Sequence, residues 1–576
     1  MFSVHRHTSI INTPEGWRVF RDPALVVEAR TPDEVVPALR RIEALVEGEG
    51  LHAVGFLAYE AASAFDPALE THAASGPLLW FGLYGGSETF ELPPPPGLPA
   101  LDWRPDQSRD EYARAIERIK ALIAAGDTYQ VNYTMRLRAP FDGDAWALFA
   151  QLAHAQPSPY AAFIDTGDLA LCSVSPELFF RLESRALSAR PMKGTAARGR
   201  TLAEDQAQAG WLHASEKNRA ENVMIVDMMR NDIGRVARVG SVRVPELLTV
   251  ERYPTVWQMT STVTAETDAG LPEIMAALFP CASITGAPKA RTMQIIRELE
   301  RAPRRVYTGC IGSYAPGRRA QFSVAIRTAL VDRAAGQAEY GVGGGIVWDS
   351  ASAEEYDECL LKARVLTAPQ PGFALLETLL WRPDAGYALL DRHLARLADS
   401  ARYFGVPLEP ALARCALEDL AATLPPADQR VRLLVSQDGT PRCEHAPLAP
   451  APDRPVLLGI APAPVDSANP LLYHKTTARQ VYEAALAACP GCDDAVLWNE
   501  RGELTETCIG NLALRLDGAL LTPPVASGLL PGTLRAELLE QGTLREQTLT
   551  LADLERCEAL FVLNSVRGVR PAQIRG

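Results

Sequence analysis

Residues 190–195 read RPMKGT, and the rest of the sequence is best read outward from its lysine, Lys193. An ammonium group in an otherwise apolar, glycine-bearing turn is costly unless it is paired or used. Partial desolvation lowers an amine's pKa and frees its lone pair for attack on an electrophile. A lysine–glycine–threonine tripeptide says little alone, so its weight comes from the segments that accompany it. SPELFF (175–180) places Glu177 near a strand end, and KNRAENVMIVDMMRNDIGRV (217–236) is a helical run carrying Glu221. SITGAPKARTMQII (283–296) sets Pro288 at a predicted helix start, where its missing N–H costs nothing and the neighbouring free N–H groups suit a carboxylate. GGGIVWDSASAEEYDECLLKA (343–363) joins glycines that allow close backbone approach to Glu355 and Glu358, which share one helical face. Two acidic helices beside a carboxylate ligand point to Mg2+, which is commonly held by one or two carboxylates plus water and ligand oxygens.

The composition bounds what this set can belong to. A chain of 576 residues has room for more than one domain. Its net charge of −13 argues against a nucleic-acid partner or a polybasic membrane surface. The opening MFSVHRHTSIINTPEG lacks the apolar core of a signal peptide, and no run approaches a membrane span, so the expectation is a cytoplasmic protein with no membrane partner. Ten cysteines are too few for a disulfide framework. Cys489 and Cys492 in ACPGCDD have thioredoxin-like spacing, but they follow a predicted helix and precede a predicted strand, which reads as a plain turn.

Punctuation along the chain divides it. LPPPPGLPA (92–100) is a stiff spacer that sets an N-terminal piece, 1–100, apart from 101–367. Ser108 and Glu111 form a capping box for a helix whose apolar face is Tyr112, Ile116, Ile119 and Ile123 and which stops at Gly126. From Tyr129 to Leu137 apolar and polar residues alternate, as in a strand. TAPQPG (367–372) supplies a linker, 368–372, before a second alternation of strands and helices over 373–576, with a turn-rich stretch at 442–455. The fold class expected is α+β, in two units.

Seven segments occur in the order of one family: GDTYQVNYT (126–134), SPELFF, RPMKGT, KNRAENVMIVD, SITGAPK, AIRT (325–328) and GGGIVWDS. Through them residues 1 to about 367 resemble the chorismate-utilising enzymes, in the branch of aminodeoxychorismate synthase component I. The resemblance implies a two-sheet α/β sandwich that binds chorismate. It implies Glu221 and Glu358 as Mg2+ ligands, with Glu355 close by. Arg327, Tyr314, Thr195, Ser283 and Gly343, Gly344 and Gly345 would hold the chorismate carboxylates, with Lys289 near. Anthranilate synthases resemble this chain but carry a small residue where Lys193 stands, and a histidine that aligns with Gln258. In the aminodeoxychorismate branch the lysine is thought to attack C2 of the ring while the C4 hydroxyl leaves, with Glu177 as general acid/base; ammonia then adds at C4 and expels the lysine. The family also includes members that bind tryptophan in their first piece, where GFLAYEA (55–61) falls here; such a stretch is more often core.

A second set lies beyond the linker. HKTTARQVYEAA (474–485) carries Lys475, GELTETCIGNLAL (502–514) carries Glu506, and LLPGTLR (529–535) forms a turn before a helix, suited to a phosphate. LLDRHLARLADSARYFG (389–405) carries Arg392, and FALLETLLW (373–381) carries Thr378. A lysine, an acid for a pyridinium nitrogen and a phosphate cradle are what pyridoxal 5'-phosphate requires. In this order they resemble the fold-type IV pyridoxal-phosphate enzymes, a two-subdomain α/β fold that includes aminotransferases and aminodeoxychorismate lyase. The resemblance implies Lys475 as Schiff base and proton carrier, Glu506 on the ring nitrogen, and Arg392, Gly532 and Thr533 on the phosphate. Thr378 matches a threonine near the cofactor in lyases, and HKTT leans toward lyase over aminotransferase. It further implies pairing of two copies through this half.

Together the halves imply amination of chorismate to 4-amino-4-deoxychorismate and then loss of pyruvate to give 4-aminobenzoate, the folate precursor. Anthranilate synthesis, or an appended amino-acid transaminase, are the alternatives. No glutamine amidotransferase signature is found, since Cys310 lies inside the first match, so ammonia is expected from a separate glutaminase subunit.

Overall fold

The computed structural model describes residues 6–366 and 372–575. The expected linker lies outside the described residues except for Gly372. The chain forms two compact units, residues 1–196 with 211–370, and residues 197–210 with 371–576.

The first unit is built on two large sheets. In one, Gln130–Pro140 runs between Gly286–Ala287 and Gln337–Ile346, and the order continues through Thr328–Asp332, Leu169–Ser173 and Ala162–Asp165 to the N-terminal hairpin Ser9–Thr13 and Gly16–Phe20. In the other, Met192–Ala197 is the edge beside Val256–Glu266, followed by Ala186–Arg190, Leu178–Glu183, Arg319–Val324, Cys310–Ala315 and His52–Leu57. Ile11, Phe20 and Ile164 from the first sheet meet Val54, Phe56 and Ile311 from the second, so the sheets pack face to face. Helices cover both outer faces: Arg109–Ala124, Ala145–Ala155 and Ser352–Ala363 on one, Pro32–Glu49, Glu216–Gly234 and Leu271–Leu278 on the other. The arrangement is the expected two-sheet sandwich.

The helix at Arg109–Ala124 has the predicted capping box, with Ser108 Oγ accepting from the Glu111 N–H. Its fully buried face is Tyr112, Ile116, Ile119 and Leu122, and Ile123 is only half-buried. The strand Gln130–Pro140 departs from the alternation: both of its faces are buried, because it is central in a sheet covered on both sides. The spacer 92–100 has no regular structure, yet strands from before and after it share the same two sheets, so residues 1–100 do not form a body of their own.

A buried ion pair fixes the end of the sandwich where the site lies. Arg304 donates to Glu300 Oε1 at 2.6 Å and to the carbonyls of Asn132 and Ile284 at 2.7 and 2.9 Å. Glu300 also accepts from the Thr134 N–H and hydroxyl. With Nε donating to Glu300 Oε2 at 3.0 Å and Nη1 also to Thr308, both ends of the Arg304 guanidinium are held near the strand and turn that carry Asn132 and Ser283.

The second unit has two subdomains, as expected. A four-stranded sheet holds Leu375–Arg382 between Gly386–Tyr387 and Gln429–Val435, with Pro441–Pro447 at its edge. That edge strand occupies part of the stretch expected to be turn-rich; full backbone pairing with Gln429–Val435 offsets its poor strand composition. The eight-stranded sheet runs from Leu504–Thr507 to Arg545–Glu546, and Leu504–Thr507 also pairs Asn511–Leu516, which closes six of its strands into a barrel. Cys489 and Cys492 sit in a turn between the helix Gln480–Ala487 and the strand Asp494–Trp498. Residues 197–210 belong to this unit: Tyr403 donates to the Gly199 carbonyl at 2.7 Å, and His474 Nε2 lies 3.1 Å from the Arg200 carbonyl.

Arg304→Met leaves buried Glu300 with only the more distant guanidinium of Arg136, at 3.7 Å, and should cost the first unit about 3 kcal/mol. An earlier urea transition is the expected reading, and an unchanged midpoint contradicts the role given to the pair.

Candidate active sites

Lys193 lies on the edge strand Met192–Ala197, followed by Gly194 at φ 99°, and opens into a cavity of the first unit. Asn222 holds its backbone: Asn222 Nδ2 donates to the Lys193 and Met259 carbonyls at 3.2 Å, and Ser261 donates to Asn222 Oδ1 at 2.6 Å. Burial pushes the Lys193 amine's pKa down; Glu221 pulls it up, Lys362 adds to the fall, and Glu177 and Glu358 oppose it. Glu177 directly precedes the strand Leu178–Glu183, is enclosed, and accepts from Ser283 Oγ at 2.7 Å. Burial raises its pKa to about 7, against the pull of Ser283 and Lys193.

Three glutamates line the same cavity. Glu221 comes from the helix Glu216–Gly234, and Glu355 and Glu358 come from Ser352–Ala363. Burial raises Glu221 and Glu355, while the Lys362 ammonium, 2.8 Å from Glu358, lowers Glu358. Among the described residues no group of three His, Cys, Asp or Glu side chains is drawn together tightly enough to hold a metal by itself. Desolvated carboxylates facing one cavity nevertheless suit Mg2+, which takes one or two carboxylates and completes its shell with water and ligand oxygens.

The glycines act by close approach. A Cβ on Gly344 would stand 2.9 Å from Glu355 Oε2, and one on Gly345 would stand 2.2 Å from Gln130 Nε2 and 2.8 Å from Lys193 Nζ. Arg327 also faces the cavity, from a left-handed backbone at φ 49° that is unusual for a side chain of its size. Thr195 lines it and donates to Gln258 Oε1 at 3.2 Å.

Two expected residues are not brought there. Tyr314 points to the helix Pro32–Glu49 and donates to Glu47 at 2.7 Å, because its position on Cys310–Ala315 faces that helix layer; Tyr307 lines the cavity instead. Lys289 is drawn away to Asp232 at 2.8 Å. Asn132, Lys217, Asn218 and Lys362 line the cavity without having been singled out from the sequence. Lys362 was findable, since it follows Glu358 by one helical turn.

In the second unit, Lys475 is held beside Leu375–Arg382: the Leu376 N–H donates to its carbonyl at 2.9 Å, and Thr477 N–H donates to Ala374. It lines a cavity of about 520 Å3 with Thr378, Glu506, Gly532 and Thr533. Burial lowers its pKa to about 8, with Arg396 adding to the fall and Glu377 and Glu506 opposing it. Glu506 is buried and rises to about 7, against the hydrogen bonds it accepts from Tyr482 at 2.9 Å and the Leu530 N–H at 3.2 Å. Asn511 donates to its other oxygen at 3.3 Å. A Cβ on Gly532 would lie 1.9 Å from Asn511 Oδ1, so only glycine fits before the helix Thr533–Glu540.

Arg392 does not face this cavity. It pairs with Glu537 at 2.8 Å and with Glu540 on the surface. Arg396, one turn further along the helix Leu390–Phe404, lines the cavity instead and forms a two-point pair with buried Glu377 at 2.7 and 2.9 Å. The signal was present: His393 and Arg396 are three apart, hence on one face, and His393 Nδ1 reaches the same carboxylate at 2.6 Å.

Residues 87–368 match the model of the chorismate binding enzymes, and residues 374–574 match that of the class IV amino-transferases. Aminodeoxychorismate synthase component 1 of Klebsiella aerogenes is 46% identical over 258 residues, 44% of this chain and 57% of that protein. Aminodeoxychorismate synthase of Streptomyces griseus is 37% identical over 369 residues, 62% of this chain and 47% of that one. The chain thus spans about half the length of these relatives. The crystal structure of anthranilate synthase component I from Streptococcus pneumoniae superposes with a TM-score of 0.53 at 25% identity, covering 64% of this chain and 94% of that one.

Tyr482→Phe removes one of the donors that keep Glu506 able to ionise. Pyridoxal phosphate affinity, titrated by visible absorbance, should fall about tenfold, the worth of a hydrogen bond to a charged group. Unchanged affinity contradicts the part given to Tyr482.

Proposed function

We propose that the chain makes 4-aminobenzoate from chorismate in two steps. The first unit exchanges the C4 hydroxyl for an amine, giving 4-amino-4-deoxychorismate, with ammonia from a separate glutamine amidotransferase. The second unit, with pyridoxal phosphate, releases pyruvate. The observation that carries the reading is a desolvated amine, Lys193, in one cavity with an acid, Glu177, that titrates near neutrality at about 7. The anthranilate alternative is weakened by Lys193 and Gln258, which both line the cavity.

In the first step the Lys193 amine bonds to ring C2. The two ring double bonds shift, the C4–O bond breaks, and Glu177 gives the hydroxyl a proton so that it leaves as water. Ammonia then bonds to C4, the double bonds shift back, and the lysine amine departs. Arg327, Thr195, Ser283 and the backbone at Gly343, Gly344 and Gly345 orient the carboxylates. Glu221 and Glu358, with Glu355, would hold Mg2+, which supplies positive charge beside a carboxylate.

In the second unit Lys475 would hold pyridoxal phosphate, with Glu506 at the ring nitrogen and Arg396, Gly532 and Thr533 at the phosphate. When bound, the cofactor draws electron density from the carbon bearing the substrate amine. Lys475, at about 8, is placed to take the C4 proton. The C3–O bond breaks, enolpyruvate leaves and becomes pyruvate, and the ring becomes aromatic. Leu376, Leu530 and Leu563 give the cavity an apolar side.

Incubation with chorismate, an ammonium salt, Mg2+ and pyridoxal phosphate, without any keto-acid acceptor, should yield equal amounts of 4-aminobenzoate and pyruvate. Formation of 2-aminobenzoate, or a requirement for an amino acceptor, overturns the proposal. Because Glu177 must be protonated to act as acid, the first step should slow as pH rises through about 7. Glu177→Gln should abolish that limb and lower the rate by about 10²–10⁴-fold. A pH profile that keeps the limb assigns the acid elsewhere.

A further inference from the structure

The turn that joins the helix Gln480–Ala487 to the strand Asp494–Trp498 lines neither cavity, and it carries two thiols that the chemistry above does not use. Cys489 is buried and Cys492 half-buried, and both are free. Pro490 and Gly491 stand between them and are exposed. The Cys492 N–H donates to the Cys489 carbonyl at 3.2 Å, and Gly491 takes φ 79°. Proline second and glycine third, at positive φ, make a type II turn, whose first and last Cα atoms lie under about 7 Å apart. A disulfide spans Cα atoms about 4.4–6.8 Å apart, so the backbone holds the two cysteines at bridging range.

Packing brings the sulfurs to one spot. Gly459 lies beneath the turn, on the strand Val456–Ile460 that pairs with Asp494–Trp498. A Cβ there would stand 2.6 Å from Cys489 Sγ and 3.3 Å from Cys492 Sγ, so both sulfurs face one glycine and lie within about 6 Å of each other. Cys489 Sγ is 3.5 Å from the Ile460 carbonyl, and burial, then the neighbouring Cys492, push its pKa up. The elements on either side of the turn both lead to the cofactor cavity. Tyr482, on the helix, donates to Glu506 at 2.9 Å. Asp494, first on the strand, accepts from the Cys508 N–H at 2.9 Å, two residues beyond Glu506.

We propose that Cys489 and Cys492 are a redox-modification site, a dithiol that a low-molecular-weight disulfide converts into an intramolecular disulfide and that loosens the hold on pyridoxal phosphate when it closes. The effect on the cofactor rests on the proposed function, whereas the thiol chemistry does not. Cys492, the more exposed thiol, gives up its proton and bonds to one sulfur of the reagent, whose S–S bond breaks and whose other half leaves as a thiol. Cys489 then bonds to the Cys492 sulfur, and the second half leaves as a thiol with the Cys489 proton. The cysteine pair loses two electrons and the reagent gains them. The second step is intramolecular, so a turn that presets its geometry speeds it. Closing the bond draws the end of the helix toward the start of the strand and shifts Tyr482 against Glu506.

The test treats the full chain with glutathione disulfide, quenches it with iodoacetamide and weighs its peptides. In wild type the peptide carrying both cysteines should be two hydrogens lighter and take up no iodoacetamide, and dithiothreitol should reverse both changes. In C489S, Cys492 should keep glutathione as a stable adduct, and in C492S the buried Cys489 should stay unmodified. Cys415, exposed on the helix Pro410–Ala421, serves as the comparison and should carry glutathione only. Free thiols at both positions under conditions that load Cys415 overturn the site, as does glutathione that persists on wild-type Cys492. The second readout is pyridoxal phosphate affinity, titrated by visible absorbance. It should fall at least about fivefold when wild type is oxidised, the lower end of coupling between two sites, and stay unchanged in C489S/C492S. No fall in wild type, or an equal fall in C489S/C492S, overturns the link to the cofactor. If reduced wild type binds no pyridoxal phosphate, the functional reading of the second unit fails, and the peptide masses still judge the thiols.

Discussion

Enclosing a primary amine in protein is the constraint on which the rest of this structure depends. Lys193 and Lys475 are both removed from water far enough that their protons are held less tightly than in solution. Each unit answers the cost differently. Around Lys193, the carboxylates Glu221, Glu177 and Glu358 oppose burial and the Lys362 ammonium. Around Lys475 the field is cationic, with Glu506 and Glu377 the carboxylates that act on it. The first environment suits a ligand that arrives with a divalent cation, and the second suits one that arrives as a polyanion.

Each amine has an acid whose proton affinity burial has raised to about 7, Glu177 in one case and Glu506 in the other. The hydrogen-bond partners separate their roles. Glu177 accepts one hydroxyl, from Ser283, and opens into the cavity, which suits a group that gives and takes a proton. Glu506 accepts from Tyr482, Asn511 and the Leu530 N–H, which suits a group that stays in place as an anion against a fixed cation. The folding energetics and the site are joined at Arg304 and Glu300, whose pairing also ties down the backbone of Asn132 and Ile284.

Much of this was legible in the sequence because motif residues sit on rigid elements. RPMKGT reads as a glycine-bearing turn and is an edge strand in the structure, whereas the three glycines before the acidic helix read as close approach, which the distances at Gly344 and Gly345 bear out. The two-sheet sandwich and the two-subdomain second unit are what the family resemblances imply, beyond the two α+β units that the residues themselves suggest. What was not legible is direction. Tyr314 carries the expected chemistry but lies on the helix-facing side of its strand, a one-residue matter of phase that sequence alone does not reveal inside a strand buried on both faces. Arg392 and Arg396 are one helical turn apart, and packing chose the one that meets Glu377. Polar partners distant in sequence, such as Asn222 under Lys193, had no local signal at all.

The central claim is that two lysines act in series on one carbon skeleton. Mixing Lys193→Ala with Lys475→Ala, each folded and each supplied with chorismate, an ammonium salt, Mg2+ and pyridoxal phosphate, tests it most directly. The account predicts that neither variant alone forms 4-aminobenzoate and that the mixture does, with 4-amino-4-deoxychorismate accumulating in the Lys475→Ala sample. Formation of 4-aminobenzoate at the wild-type rate by either variant alone would contradict it.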